Sequence, residues 1–127
     1  MIWCLHKSIT YNNINVPDGT ILYRGVCKKW PNNIGVGTKF FFPEFISTSK
    51  DINVAKSFGG SGTLMYITVK NNGINGKNGY CRDVEYISIF PHEKEVIFTS
   101  YCKFLVTKIE KSPFWDIVYL TCEGYYF

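Results

Sequence analysis

Charge is scarce in this chain of 127 residues, where Asp, Glu, Lys and Arg together make up 19%. Beside 46% apolar and 17% aromatic residues, that scarcity excludes a disordered chain and indicates one domain, residues 1–127, with a real hydrophobic core. Histidine is scarcer still, with His6 and His92 alone. The five cysteines form no C-x-x-C pair, so no zinc site can be written at standard spacing and no metal is expected. No apolar run approaches the length of a membrane span. The start, Met1 to Lys7, has neither the apolar core nor the cleavage site of a secretory signal. An odd number of cysteines (Cys4, Cys27, Cys81, Cys102, Cys122) and the missing signal point to reduced thiols and a cytoplasmic setting, the alternative being a secreted or cell-surface parent in which several of them pair. Cys102 falls at a core strand position, which disfavours a catalytic pair with His92. No repeat, arginine-rich run or nucleic-acid fold signature occurs, and the net charge of +4 is scattered, so no nucleic-acid partner is expected. Lys28-Lys29 beside Trp30 reads as a solvated turn before Pro31.

Against this background three polar insertions stand out, because each interrupts an apolar stretch. Glu93-Lys94-Glu95 lies between Ile87, Ile89 and Phe90 on one side and Val96, Ile97 and Phe98 on the other, and reads as part of a strand. In a strand, residues i and i+2 share a face, so the two carboxylates would stand together with Lys94 opposite. Like charges at that distance shift each other's pKa, and folding gains nothing from the arrangement. Arg24 interrupts Ile21-Leu22-Tyr23 and is followed at once by Gly25, a residue that in strands marks close approach by a ligand or another backbone. A guanidinium beside open backbone suits a phosphate or a carboxylate. Ser47-Thr48-Ser49 ends the run Phe45-Ile46, with Ser47 and Ser49 on one face. Ser49 is placed to cap a short helix through Phe58, with Asp51 in its first turn and Ile52, Ala55 and Phe58 on one side. Capping leaves the hydroxyl of Ser47 unexplained.

The rest of the chain reads as short strands punctuated by turns. Asp18-Gly19 is a tight-turn pair, Pro31-Asn32-Asn33 opens the loop before Phe40-Phe41-Phe42, and Gly59-Gly60-Ser61-Gly62 ends the helix. Leu64 to Val69, Lys103 to Glu110 and Trp115 to Cys122 are further strands, and Asn71 to Gly79 is a polar, Gly-rich connection. The pattern predicts an α+β domain, a β core with few helices.

Arg on one strand, Ser-Thr-Ser at the end of a second and Glu-x-Glu at the head of a third resembles the signature of the arginine-specific mono-ADP-ribosyltransferases. The spacing from about Ile21 to Leu120 follows that family, including Ala55, Phe58 and the strand at Leu64. The resemblance implies two antiparallel-rich sheets around a cleft for NAD, used as co-substrate. It implies that Arg24 holds a phosphate or ribose oxygen and that Gly25 offers its backbone to the nicotinamide amide. Ser47, Thr48 and Ser49 would line the same site, and Phe58 would stack on nicotinamide. The second Glu of the motif, Glu95, would stabilise the positive charge on ribose and hydrogen-bond its 2′-hydroxyl, with Ser47 orienting it. Glu93 would bind the arginine of an acceptor protein and help remove its proton. Phe90 would help position that acceptor.

Family members usually carry a helical region ahead of the Arg strand. Here only about twenty residues precede Ile21, and Pro17 with Asp18-Gly19 disfavours a helix among them. That leaves a minimal core, part of a longer protein or a truncated gene model. Two other activities fit the same residues: an NAD glycohydrolase, which needs no guanidinium anchor at Glu93, and a non-catalytic module that binds NAD or protein.

Overall fold

Alternation of apolar and polar side chains places eight strands and one helix within residues 16–59, 62–70, 80–83 and 94–125, which the computed structural model describes. The strands are β1 (Ile21–Val26), β2 (Lys39–Phe42), β3 (Ile46–Ser49), β4 (Thr63–Val69), β5 (Cys81–Asp83), β6 (Glu95–Phe98), β7 (Cys102–Lys111) and β8 (Asp116–Tyr125). The helix α1 (Ile52–Gly59) follows β3. Hydrogen bonding orders the strands β2-β7-β8-β4-β1-β3-β6-β5. Every neighbouring pair is antiparallel except β4 with β8.

This order divides into two sheets. β1 and β4 pair continuously from Ile21 with Thr68 to Val26 with Thr63, whereas β1 meets β3 only at Tyr23 with Ser49. Five strands lie on one side of that junction and three on the other. The two parts fold over each other. Phe98 of β6 lies edge-on to Phe104 of β7, with ring centroids 5.5 Å apart, although the strands are distant in sheet order. Tyr80 closes the same end: its ring stacks on Phe98 at 6.0 Å. Its hydroxyl accepts from the Lys70 N–H at 2.9 Å and lies 2.6 Å from the Cys122 carbonyl, to which it can donate. The expected pair of sheets is therefore the architecture found, with one helix among the described residues.

The inner faces follow the period of two. Leu22, Ile67, Leu120 and Val106 sit opposite one another across β1, β4, β8 and β7, and all four are buried. Val69, Cys122 and Phe104 make a second such row. Burying each of these side chains contributes on the order of 1.5–3 kcal/mol before chain entropy is counted. The outer face of β4 is apolar at Leu64, which is buried, and α1 packs across β1 and β4 beside it.

Several sequence expectations change in detail. The turn at Lys28-Lys29-Trp30 is only half solvated: both lysines are exposed, but Trp30 is buried. Its indole N–H donates to the Ile34 carbonyl at 2.7 Å and its backbone N–H to Asp116 Oδ2 at 3.1 Å. The end of β1 passes so close to Gly62 that a Cβ there would lie 2.1 Å from the Val26 carbonyl oxygen, which only glycine avoids. The last strand runs beyond Cys122 to Tyr125, with a register shift against β7 and Gly124 at φ +140°. β5, at three residues, is too short to carry an alternation that sequence could reveal. Residues 71–79, Gly60-Ser61 and the stretch from Ile87 to Phe90 lie outside the described residues. Among the described residues no helix is long and apolar enough to cross a membrane.

Candidate active site

The site forms where the sheet divides. Beyond Tyr23 and Ser49 the β1 and β3 backbones stop pairing, and the side chain of Arg24 crosses to β3 instead: Nη1 donates to the Ser47 carbonyl at 2.8 Å. Burial pulls Arg24 below the ordinary guanidinium value, and the nearby charge of Glu44 acts in the opposite direction. A guanidinium keeps its charge through such a shift and has donors to spare for an anion.

β3 in turn pairs with β6, Ser47 opposite Ile97 and Ser49 opposite Glu95. Ser47 and Glu95 are thus diagonal neighbours on one face of the ladder, within side-chain reach. The Ser47 hydroxyl donates to Glu95 Oε2. Ser47 is exposed and Glu95 half-buried, so this pair stands at the edge of the cleft rather than in the core. Thr48 points the other way: it is buried, and its hydroxyl donates to the Val96 carbonyl at 2.8 Å. The middle residue of the tripeptide thereby locks β3 to β6 and holds the register that brings Ser47 to Glu95.

The placement of Glu93-Lys94-Glu95 inside a regular strand is corrected. β6 begins at Glu95, and Lys94 has φ +48°, in the left-handed region. The same-face rule for i and i+2 holds only for extended backbone, so it does not apply across Lys94. The Lys94 carbonyl is held by the Lys50 N–H at 3.0 Å, which fastens the end of β3 to the head of β6. Glu93 itself lies outside the described residues, as do Phe90 and His92.

A second correction concerns the helix cap. Asn53 N–H donates to Asp51 Oδ1 at 2.9 Å, which makes Asp51 the N-cap rather than a first-turn residue. Ser49 Oγ accepts from the Asp51 N–H at 3.0 Å, so its hydroxyl braces the turn ahead of the cap. α1 then buries Ala55 but leaves Phe58 56% exposed. Phe58 therefore does not complete an apolar helix face, as the sequence pattern suggested, and instead stands at the rim of a cavity.

That cavity has a volume of about 270 Å³. β1 contributes Tyr23, Arg24 and Gly25, β3 contributes Ser47, Thr48 and Ser49, and α1 contributes Val54, Ala55 and Phe58. All six residues expected to bind the co-substrate (Arg24, Gly25, Ser47, Thr48, Ser49, Phe58) are brought together there. Sequence reasoning passed over Tyr23 and Val54. Tyr23 belongs to a row of tyrosines, 5.1 Å from Tyr66, which lies 4.9 Å from Tyr119, and a lone Tyr in an apolar run carries no mark of that row. Chemically, the cleft offers a cation for an anionic group and an exposed aromatic face for a planar ring, and the Ser47 that lines it holds the Glu95 carboxylate, which does not itself line the cavity.

Elsewhere the candidates fall away. Cys102 is buried, and its hydrogen bond with Cys122, then burial, push the thiol far above its ordinary value, which removes it as a nucleophile. Among the described residues no three His, Cys, Asp or Glu side chains cluster as a metal site would require.

No protein-family model and no curated protein matches the chain. Solved structures do. Exoenzyme S from Pseudomonas aeruginosa, in complex with human 14-3-3 protein beta and bound to Carba-NAD, matches with a TM-score of 0.69 at 18% identity, over 92% of this chain and 54% of its own. Vis, an ADP-ribosyltransferase from Vibrio splendidus, in complex with agmatine, matches with 0.67 at 19% identity, over 94% and 58%. An ADP-ribosyltransferase from Clostridium botulinum matches with 0.68 at 17% identity, over 97% and 68%. The fold is that of the ADP-ribosyltransferases, and the chain spans little more than half the length of the first two.

Proposed function

We propose that this chain transfers ADP-ribose from NAD to an arginine side chain of an acceptor protein and releases nicotinamide. One observation carries the reading: the Ser47 hydroxyl is bonded to Glu95 at the edge of the same cavity that Arg24, Gly25 and Phe58 line. A buried-core account explains neither a carboxylate oriented by a cleft-lining hydroxyl nor an exposed phenylalanine at the rim.

In this reading Arg24 takes a phosphate oxygen of NAD through guanidinium hydrogen bonds. Gly25 presents backbone to the nicotinamide amide, and Phe58 covers the planar ring. Glu95 faces the ribose, where its negative charge stabilises the positive charge that builds as the nicotinamide–ribose bond breaks. The bonding pair leaves with nicotinamide, which becomes neutral. Ser47 acts through Glu95 by holding its carboxylate in that orientation. The acceptor guanidinium nitrogen then forms the new bond to the ribose carbon, and Glu93, two positions before Glu95, receives its proton. Agmatine is arginine without its carboxylate, and its complex with Vis supports a guanidinium as acceptor.

The reading is tested by comparing wild type with Glu95→Gln for NAD binding by calorimetry and for nicotinamide release. The variant should keep NAD affinity within a few-fold and lose nicotinamide release. Undiminished release would remove Glu95 from the chemistry.

A further inference from the structure

A second cavity, with a volume of about 320 Å³, shares Arg24 with the first. It falls at the lower end of the range for small-molecule sites. Trp30, Ile34, Phe40, Phe42 and Met65 form its apolar walls. The polar atoms of two wall residues are turned to backbone: the Trp30 indole N–H to the Ile34 carbonyl and the Thr63 hydroxyl to the Lys28 carbonyl, both at 2.7 Å. Apart from its cationic residues, the wall is mainly hydrocarbon and aromatic ring.

Cations line it, while the carboxylate of Asp116 borders it through the Trp30 N–H and Lys29, and the charge of Glu44 reaches Arg24. Among the described residues, Arg24, Lys28 and Lys29 line the cavity and no acidic side chain does. Lys29 leans toward Asp116 at 4.0 Å, while Lys28 has no carboxylate partner among the described residues. Arg24 lines this cavity and the candidate active site alike.

We infer that this cavity is a second ligand site, which takes a small apolar molecule carrying a carboxylate or phosphate. The apolar part fills the space among Trp30, Phe40 and Phe42, and the anionic head meets Lys28 and Arg24. Occupancy does not require the proposed activity. Its consequence for that activity rests on the NAD reading: an anion held by Arg24 here competes with the NAD phosphate for one guanidinium. The coupling is reciprocal, so NAD weakens the second ligand by the same factor.

The test uses the full chain, titrated by calorimetry with 2-naphthoate, octanoate and the neutral 2-naphthalenemethanol, while the Trp30 indole N–H signal is followed by NMR. At least one acid should bind saturably and shift the Trp30 signal. Lys28→Glu, an exposed substitution that leaves the fold intact, should weaken it at least tenfold, and the alcohol should bind at least tenfold more weakly than naphthoate. Tighter naphthoate assigns the site to aromatic acids, and tighter octanoate to acyl chains. Absence of saturable binding by either acid at millimolar concentration, or equal affinity in wild type and Lys28→Glu, overturns the site. Acids that bind here while leaving the NAD affinity unchanged overturn the coupling through Arg24. NAD that fails to bind a protein that does take up naphthoate overturns the NAD reading alone.

Discussion

Ser47 reaches Glu95 diagonally across the β3–β6 ladder, one step from Ser49, the direct partner of Glu95. The orientation of the carboxylate is therefore set by strand register, and Thr48 secures that register from the buried side through the Val96 carbonyl. A site fixed by a β ladder is held more tightly than one carried on a loop.

In the proposed reaction the Ser47 hydroxyl would act through Glu95, to which it donates. Ser47→Ala should lower nicotinamide release about tenfold, a cost of roughly 1.4 kcal/mol in the barrier. Glu95→Gln should lower it by on the order of 100-fold or more. Because Ser47 is exposed, the change in rate in Ser47→Ala should come without a loss of thermal stability. Equal losses in the two variants would mean that Ser47 does more than orient its neighbour.

Arg24 should govern affinity before rate. Arg24→Ala should weaken NAD binding about tenfold by calorimetry, the order expected for one lost charge-assisted contact. Arg24→Lys should restore only part of it, since an ammonium cannot reach a phosphate and the Ser47 carbonyl with the same planar fork. Unchanged affinity in Arg24→Ala would leave Arg24 with only the role of bridging β1 and β3.

Phe58 separates packing from binding. A phenylalanine of the core costs about 3–5 kcal/mol when cut to alanine. At 56% exposure Phe58 should cost far less, and Phe58→Ala should leave Tm within a few degrees while weakening NAD binding several-fold. A large fall in Tm with intact NAD affinity would return Phe58 to a structural role.

Asp116 ties the loop after β1 to β8, and its pH dependence has a definite sign. Burial pushes its carboxyl up, but hydrogen bonds from Lys111 and the Trp30 N–H, with the charges of Lys111 and Lys29, outweigh it and hold the group below the usual carboxylate value. A depressed value in the folded state gives stability that is present above the unfolded value, near 3.9, and is lost as pH falls through the folded one. Asp116→Asn should accordingly lower Tm at pH 7, and its difference from wild type should narrow as pH falls below the unfolded value, near 3.9. A difference in Tm that stays constant across this range would remove the charge from the account.

Much of this was legible in the chain because the informative residues break apolar runs. Arg24 and Ser47 are polar where the alternation asks for hydrophobes, and the strands at Leu64 and Lys103 obey a period of two. Conformation was harder to read than chemistry. Nothing in Glu93-Lys94-Glu95 signals that Lys94 adopts φ +48°, because the Lys50 N–H that holds its carbonyl comes from a strand end far away in sequence. Ser49 and Asp51 are both good cap residues two positions apart, and only the geometry of the turn decides between them. Trp30 looked solvated beside two lysines, since the carboxylate and carbonyl that bury it are contributed by Asp116 and Ile34.

The central claim is ADP-ribose transfer to a guanidinium, and incubation of the chain with NAD and agmatine tests it most directly, with both products followed by mass spectrometry. The account predicts nicotinamide and ADP-ribosyl-agmatine in equal amounts, both abolished by Glu95→Gln. Nicotinamide without the adduct would replace the transferase with a glycohydrolase, and neither product from a chain that binds NAD would contradict the proposed activity.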